Sequence, residues 1–270
     1  MTYTVNCSIL LTELPLLERP AAAKAAGFDA VEFWWPFASS VPGDAEVTAF
    51  EKSISDAGVQ LTGLNFSAGD MPAGDRGLVS WPGRSSEFRD NIDVVAGIGG
   101  RLGCKAFNAL YGNRIDGEDA DKQDALAVEN LAAAAEGVAR IGGTVLLEPV
   151  SGAPAYPLLL AGDALAVIRR LQAEAGVVNV KLLADFYHLS VNGDDVPAVI
   201  ENHAGDFGHI QIADAPGRGA PGTGTLPVAG WVARSRELGY SGYVSLEYKE
   251  PRETAFTWLH GASGPREYRL

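Results

Sequence analysis

Eight short apolar runs recur along this chain, and each is followed by a stretch whose apolar residues have helical spacing. The runs lie near Thr4–Leu10, Ala30–Trp34, Gln60–Phe66, Cys104–Ala109, Thr144–Glu148, Val180–Asp185, Phe207–Ile212 and Gly242–Glu247. Strand and helix in alternation point to βα units around a parallel sheet, and eight of them suit a sheet closed into a (β/α)8 barrel. An open doubly wound sheet usually has fewer strands and carries a phosphate-loop signature. Here Gly222-Thr-Gly-Thr225 lacks the Lys-Ser/Thr ending, and Gly97-Ile-Gly-Gly100 falls inside a helical pattern. The length of 270 residues fits one such barrel and no linker divides it, so residues 1–270 are expected to form a single catalytic domain.

The helical stretches are legible in places. Phe88, Ile92, Val95 and Leu102 follow a 3.6-residue stripe, with charges at Glu87, Arg89, Asp90 and Asp93 on other faces. Val228, Trp231, Val232, Ser235 and Leu238 do the same between Pro227 and Gly239. Pro20 would interrupt the first helix, which is expected to restart there and end at Gly27.

Composition narrows the function. A formal net charge of −13 repels a phosphate backbone and argues against a nucleic-acid partner. Although 47% of the residues are apolar, no run approaches a membrane span. The opening Met1-Thr-Tyr-Thr-Val5 runs straight into a strand without the pattern of a signal peptide, and Cys7 and Cys104 fall in or beside apolar strands. Buried thiols in a reducing cytoplasm are therefore expected, rather than a disulfide.

Four of the eight runs carry, at their last position or for Gln211 one before it, a polar residue able to bind a hard metal: Glu148, Asp185, Gln211 and Glu247. Parallel strands in a barrel bring their C-terminal ends to one face, where such folds keep their chemistry. Three carboxylates meeting there would repel one another unless a cation sat between them. Any one of these residues alone is as readily a strand cap or the partner of a basic neighbour; four at matching ends favour ligation. Oxygen donors favour Mg²⁺, with Mn²⁺ as the other candidate, whereas zinc or copper calls for more imidazole or thiolate.

Other residues are expected around this quartet. His188 follows Asp185 by three and can point back over the metal, to bond a substrate hydroxyl or hold a ligand carboxylate. His209 lies one barrel layer below Gln211 and is read as a buried hydrogen-bonding residue. Glu32 can orient a ligand from behind, and Trp34 can wall the pocket or pack in the core. Arg218 and Lys249 can supply positive charge for an anionic substrate, with Arg84 a weaker candidate. His203 and His260 have no context that raises them above ordinary positions. Two glycine-rich connections, Ser67–Arg84 and Ala213–Thr225, follow strands three and seven and are read as walls or lids of the site.

With these residues in view, the chain resembles hydroxypyruvate isomerases, within the sugar-isomerase and endonuclease-IV-like TIM barrels. The likeness runs nearly end to end. It rests on Ala26-Gly-Phe-Asp-Ala-Val-Glu-Phe33, Ser67-Ala-Gly-Asp70, Ala73-Gly74, Arg76-Gly77, Pro82-Gly-Arg84 and Leu147-Glu-Pro149. Most specific are Asp185-Phe-Tyr-His188, His209-Ile-Gln-Ile-Ala-Asp214, Gly217-Arg-Gly-Ala-Pro-Gly-Thr-Gly224 and Leu246-Glu-Tyr-Lys249. Gln211, where related epimerases usually carry histidine, is similar to the hydroxypyruvate branch. The resemblance implies that Glu148, Asp185, Gln211 and Glu247 hold the metal and that Glu148 and Glu247 double as the acid/base pair. It implies a small anionic 2-oxo acid as substrate: hydroxypyruvate, converted to tartronate semialdehyde through a cis-enediolate, or alternatively 2-oxo-tetronate. Ketose 3-epimerases of this superfamily place a second glutamate soon after the first ligand; here the stretch reads Val150-Ser-Gly-Ala-Pro-Ala155, which favours a short substrate. Phosphodiester cleavage of the endonuclease IV kind needs a histidine-rich zinc cluster, which four scattered histidines do not provide. A catalytically silent binding protein is disfavoured by the two strand-end glutamates. Barrels of this type often self-associate, so a homo-oligomer is expected by analogy alone.

Overall fold

A computed structural model describes residues 2–260; Met1 and residues 261–270 lie outside it. Eight strands form a closed parallel barrel in sequence order, with β8 pairing back to β1. They are β1 (Tyr3–Asn6), β2 (Ala30–Phe33), β3 (Gln60–Asn65), β4 (Ala106–Asn108), β5 (Thr144–Leu147), β6 (Val180–Asp185), β7 (Phe207–Ile212) and β8 (Val244–Leu246). Strands six and seven have the bounds expected from the sequence. The others are trimmed at one or both ends, because apolar residues continue beyond the paired segment into buried loops. Glu148 and Glu247 accordingly stand one residue past their strands.

The larger helices are α1 (Arg19–Ala25), α2 (Asp44–Ala57), α3 (Ser85–Leu102), α4 (Ala120–Ala139) and α5 (Ala161–Ala175). They are followed by α6 (Phe186–Val191), α7 (Val196–His203), α8 (Val228–Glu237) and α9 (Thr257–His260). The restart at Pro20 is present: a 3₁₀ turn over Leu16–Glu18 hands over to α1, whose first turn accepts the proline at no cost in hydrogen bonds. On α3 Phe88, Ile92 and Val95 of the predicted stripe are buried together with Ile98, while Leu102 at the helix end is half-buried. Gly99 shares that face because a Cβ there would stand 2.4 Å from the Phe107 ring, so only glycine lets α3 close onto β4.

Two polar contacts cross the inside of the barrel. Thr4 and Thr62, on strands that are not neighbours, share a hydrogen bond of 2.7 Å across the interior. One layer nearer the C-terminal mouth, Glu32 of β2 meets His209 of β7 at 2.6 Å, as expected of a buried hydrogen-bonding histidine. Cys7 and Cys104 are free and buried, and burial pushes the Cys104 thiol up to about 12, which makes it a poor nucleophile. Among the described residues no helix is long and apolar enough to cross a membrane.

Both glycine-rich connections are packed over part of their length and exposed over the rest. In the first, Leu78, Val79 and Ser80 are buried and Gly77 pairs with Tyr111. A Cβ on Gly77 would lie 1.9 Å from the Leu110 carbonyl, so this close approach needs glycine. In the second, the Asp214 carboxylate accepts the backbone N–H groups of Ala215, Gly222, Gly224 and Leu226 at 2.8–2.9 Å and folds the loop around itself.

Candidate active site

The C-terminal mouth collects one polar residue from almost every strand. Glu148 follows β5, and its Oε2 accepts a bond of 2.6 Å from Asn108 Nδ2 at the end of β4. Its carbonyl accepts the Tyr156 hydroxyl at 2.9 Å, which holds the strand exit still. Asp185 ends β6 and caps α6, with Oδ1 accepting Tyr187 N–H at 2.8 Å and His188 N–H at 3.1 Å. This cap explains the Asp-x-x-His spacing: the aspartate starts the helix whose first turn carries the histidine. Gln211 Nε2 donates to Glu32 Oε1 at 2.8 Å, which turns its carbonyl oxygen the other way. Glu247 follows β8, with Oε2 accepting Asn6 Nδ2 at 3.1 Å and Oε1 accepting Arg218 at 2.5 Å.

The electrostatics of this ring are unfavourable for its own charges. Burial, then the neighbouring Asp185 charge, pushes the Glu148 carboxyl up to about 8. Burial also raises Glu247 well above the usual carboxylate range, although Arg218 pulls the other way. Among the described residues, Asp185 Oδ2 and Gln211 Oε1 are buried with no hydrogen-bond partner. Unpaired buried oxygens are costly. Two such oxygens beside two glutamates that resist ionisation form a donor set that fits a hard cation. Ligand atoms of Glu148, Asp185 and His188 lie within 4.8 Å of one another; of the carboxylates expected from sequence this compact group holds two, takes in His188, and leaves Glu247, paired with Arg218, outside it.

His188 is nevertheless better suited to donate than to ligate. Its Nδ1 accepts the Ser151 N–H at 3.0 Å and lies 2.7 Å from the Ser151 hydroxyl. Burial lowers its pKa to about 4, so the ring is neutral and the remaining proton sits on Nε2. That N–H stands 3.7 Å from Asp185 Oδ2 and 3.9 Å from Glu148 Oε1, aimed into the ring of oxygens.

The other candidates separate. Arg218 joins the site, stacked 5.5 Å from the Tyr187 ring centre, with a left-handed backbone (φ 57°) that costs a non-glycine residue about 1 kcal/mol. Lys249 does not reach in by its side chain, which is exposed; its backbone N–H holds the Arg218 carbonyl at 2.7 Å. Arg84 is committed elsewhere, to Asp75 at 2.6 Å and Glu87 at 2.7 Å. His203 pairs with Asp206 on the surface. Trp34 is half-buried, its backbone N–H bonded to Ser8 Oγ at 2.9 Å. Asn6, Asn108, Ser151 and Ser245 escaped the sequence reading. Applied to amides at the ends of β1 and β4, the strand-end rule finds Asn6 and Asn108; Ser151 carries no such signal.

Glu32 is buried and turned toward protein groups. Its Oε1 accepts from Asn6, Gln211 and Ser245, and its Oε2 meets His209. Burial opposes its charge, but His209 and the bonds from His209, Ser245 and Gln211 together hold it below the usual range. Glu32→Ala strands these donors, and loss of one partner from such a buried pair is expected to lower unfolding free energy by about 3–5 kcal/mol, measured by urea denaturation. The lowered value means that the stabilisation from Glu32 is present above the ordinary carboxylate range and is lost on acidification. Glu148, raised to about 8, acts oppositely: its preference for the fold is complete below the ordinary value and lost as pH rises through about 8.

The strand-end carboxylates gather at this mouth. A cavity of about 510 Å³ at the opposite end, lined by Lys105, Lys181, Phe207, Tyr240 and Tyr243 among others, includes none of the strand-end carboxylates.

Comparison with known proteins shows the family. Residues 20–266 match the family described as xylose isomerase-like TIM barrel. The chain is 54% identical over 264 residues to a Streptomyces coelicolor protein named "putative hydroxypyruvate isomerase", covering 95% of each. It is 31% identical to Escherichia coli hydroxypyruvate isomerase (96% of this chain, 98% of the relative). Identity to the 2-oxo-tetronate isomerase of Cupriavidus necator is 33%, over 95% of this chain and 96% of that one. A solved structure from Brucella melitensis, titled as an AP endonuclease of family 2, superposes with a TM-score of 0.85 at 30% identity, covering 96% and 97% of the two chains. With its closed barrel and near-full-length relatives, the chain belongs to the hydroxypyruvate isomerase family of xylose isomerase-like TIM barrels and is an isomerase.

Proposed function

We propose that the protein interconverts hydroxypyruvate and tartronate semialdehyde by moving a proton between adjacent carbons. Two buried glutamates at the ends of β5 and β8, Glu148 and Glu247, each raised in proton affinity and each feeling the charge of Asp185, carry this reading. Isomerases named for hydroxypyruvate and for 2-oxo-tetronate among the relatives support a small 2-oxo acid as the substrate class.

Glu148, Asp185, Gln211 and Glu247 would hold a divalent cation, Mg²⁺ by the hardness of their oxygens, with Mn²⁺ as the alternative. When bound, that ion supplies Lewis-acid stabilisation of negative charge developing on the substrate oxygens. One of the two glutamates removes a proton from the hydroxymethyl carbon, giving an enediolate; the hydroxyl proton passes from the first substrate oxygen to the second, and the other glutamate returns a proton to the neighbouring carbon. A free glutamate, with a pKa of about 4.3, is a feeble base for a carbon acid, and raising it toward neutrality by burial strengthens it. Positioned acid–base catalysis contributes roughly 10²–10⁴-fold, so the rest must come from stabilising the oxyanion. His188 Nε2–H donates to a substrate oxygen, Ser151 fixes the tautomer, and Glu32 keeps the Gln211 carbonyl facing the ring. Arg218 is placed to meet the substrate carboxylate. The exposed side chain of Lys249 leaves that residue to brace the Arg218 loop instead.

The deciding experiment measures kcat/KM for hydroxypyruvate and 2-oxo-tetronate in parallel with Mg²⁺ present. A preference for hydroxypyruvate is expected; a preference for the longer acid would move the assignment to 2-oxo-tetronate, and inactivity on both would end it.

A further inference from the structure

Arg218 is the basic side chain set among the three carboxylates of the ring. One of its terminal nitrogens lies 2.5 Å from Glu247 Oε1 and 3.6 Å from Asp185 Oδ2. Its Nε–H donates to the Glu247 carbonyl at 3.2 Å. The first contact is a charge-assisted bond, whereas the second is too long for a hydrogen bond and acts through charge alone. The backbone beneath is pinned. Asp214 and Gly219 pair across the turn, and the Arg218 carbonyl accepts Lys249 N–H. Any adjustment must therefore come from the side chain, which is long and rests on the Tyr187 face without a hydrogen bond to it.

Asp185 Oδ2 and Glu247 Oε1 are also oxygens that a divalent cation would need. A guanidinium and a dication drawn to the same carboxylates, in a site largely closed to water, repel strongly. We propose that Arg218 is the built-in counter-ion of the acidic ring and competes with the divalent cation for Glu247 and Asp185. The side chain thus sets how tightly the cation binds, holding the affinity below what the oxygen donors alone would give. It also holds the carboxylates together when no cation is bound. The inference rests on the cation reading above, but it concerns this chain's arginine rather than the reaction.

The test is calorimetric titration of the full chain with Mn²⁺ alone, at one pH, for the native protein, Arg218→Gln and Arg218→Lys. Melting temperatures with and without Mn²⁺ accompany each. Arg218→Gln, which removes the charge, is expected to bind Mn²⁺ at least about ten-fold tighter than native protein, and Arg218→Lys to stay near native. Cation-free Arg218→Gln should melt below the native protein and gain more from Mn²⁺. If glutamine does not fold, Arg218→Met is the neutral replacement of similar length. Equal or weaker Mn²⁺ binding by the neutral variant overturns the proposal, because Arg218 would then build the cation site rather than oppose it. Failure of native and variant proteins alike to bind Mn²⁺ removes the cation reading itself, and the two failures are distinguished by the native titration.

Discussion

Replacing Glu247 with Gln should lower kcat by about 10²–10⁴-fold, the contribution of a positioned acid or base, in an isomerisation assay at saturating Mg²⁺. The amide keeps the shape of the side chain and can still accept a bond from Asn6, but it cannot carry a proton between carbons. The same substitution at Glu148 should cost as much, since burial gives both carboxyls the raised affinity for protons that the reaction requires. Isotope exchange separates their roles. In D₂O, the variant lacking the base for the hydroxymethyl carbon should fail to exchange that hydrogen, while the variant lacking the other group should still exchange it without completing turnover. Near-normal turnover in both variants would dispose of the two-glutamate scheme.

Removal of divalent ions by chelator should reduce turnover to below about 1% of the loaded enzyme, with recovery on adding Mg²⁺ or Mn²⁺. The expectation follows from the buried oxygens of Asp185 and Gln211, which have no hydrogen-bond partner among the described residues. The fold should survive the treatment. Glu148 and Glu247 can take up protons, and Arg218 lies between Glu247 and Asp185. Because Glu148 must lose its proton to serve as a ligand and is raised to about 8, cation affinity should increase with pH from 6 to 8. Titration of Mn²⁺ at several pH values measures this slope. Full activity in chelator would mean that the ring serves structure alone.

Much of what stands at this mouth is legible in the sequence. Glu148, Asp185, Gln211 and Glu247 were marked by position alone, since a parallel barrel carries every strand exit to one mouth. Asp185-Phe-Tyr-His188 showed its histidine because an N-cap and the first turn of its helix are local features. Local patterning likewise placed α3, α8 and the break at Pro20. Arg218 was harder. Gly217-Arg-Gly219 marks a turn, but its contact with Glu247 spans two loops that meet only when β7 and β8 lie side by side.

Sequence by itself determined the barrel, its approximate strand order and the set of oxygen donors at its mouth, because all three follow from periodicity and from where each strand ends. Tertiary structure alone decided which way those groups face. Glu32 spends its oxygens on Gln211, Ser245, Asn6 and His209 across the interior. Ser151 selects the His188 tautomer from another loop. Arg84 and Lys249, equally basic on paper, are held by an ion pair and by exposure away from the ring. The bonds of Glu32 and His188 join partners 26 to 213 residues apart, and a hydrogen bond over such a separation is set by the closed shape of the barrel rather than by any local pattern.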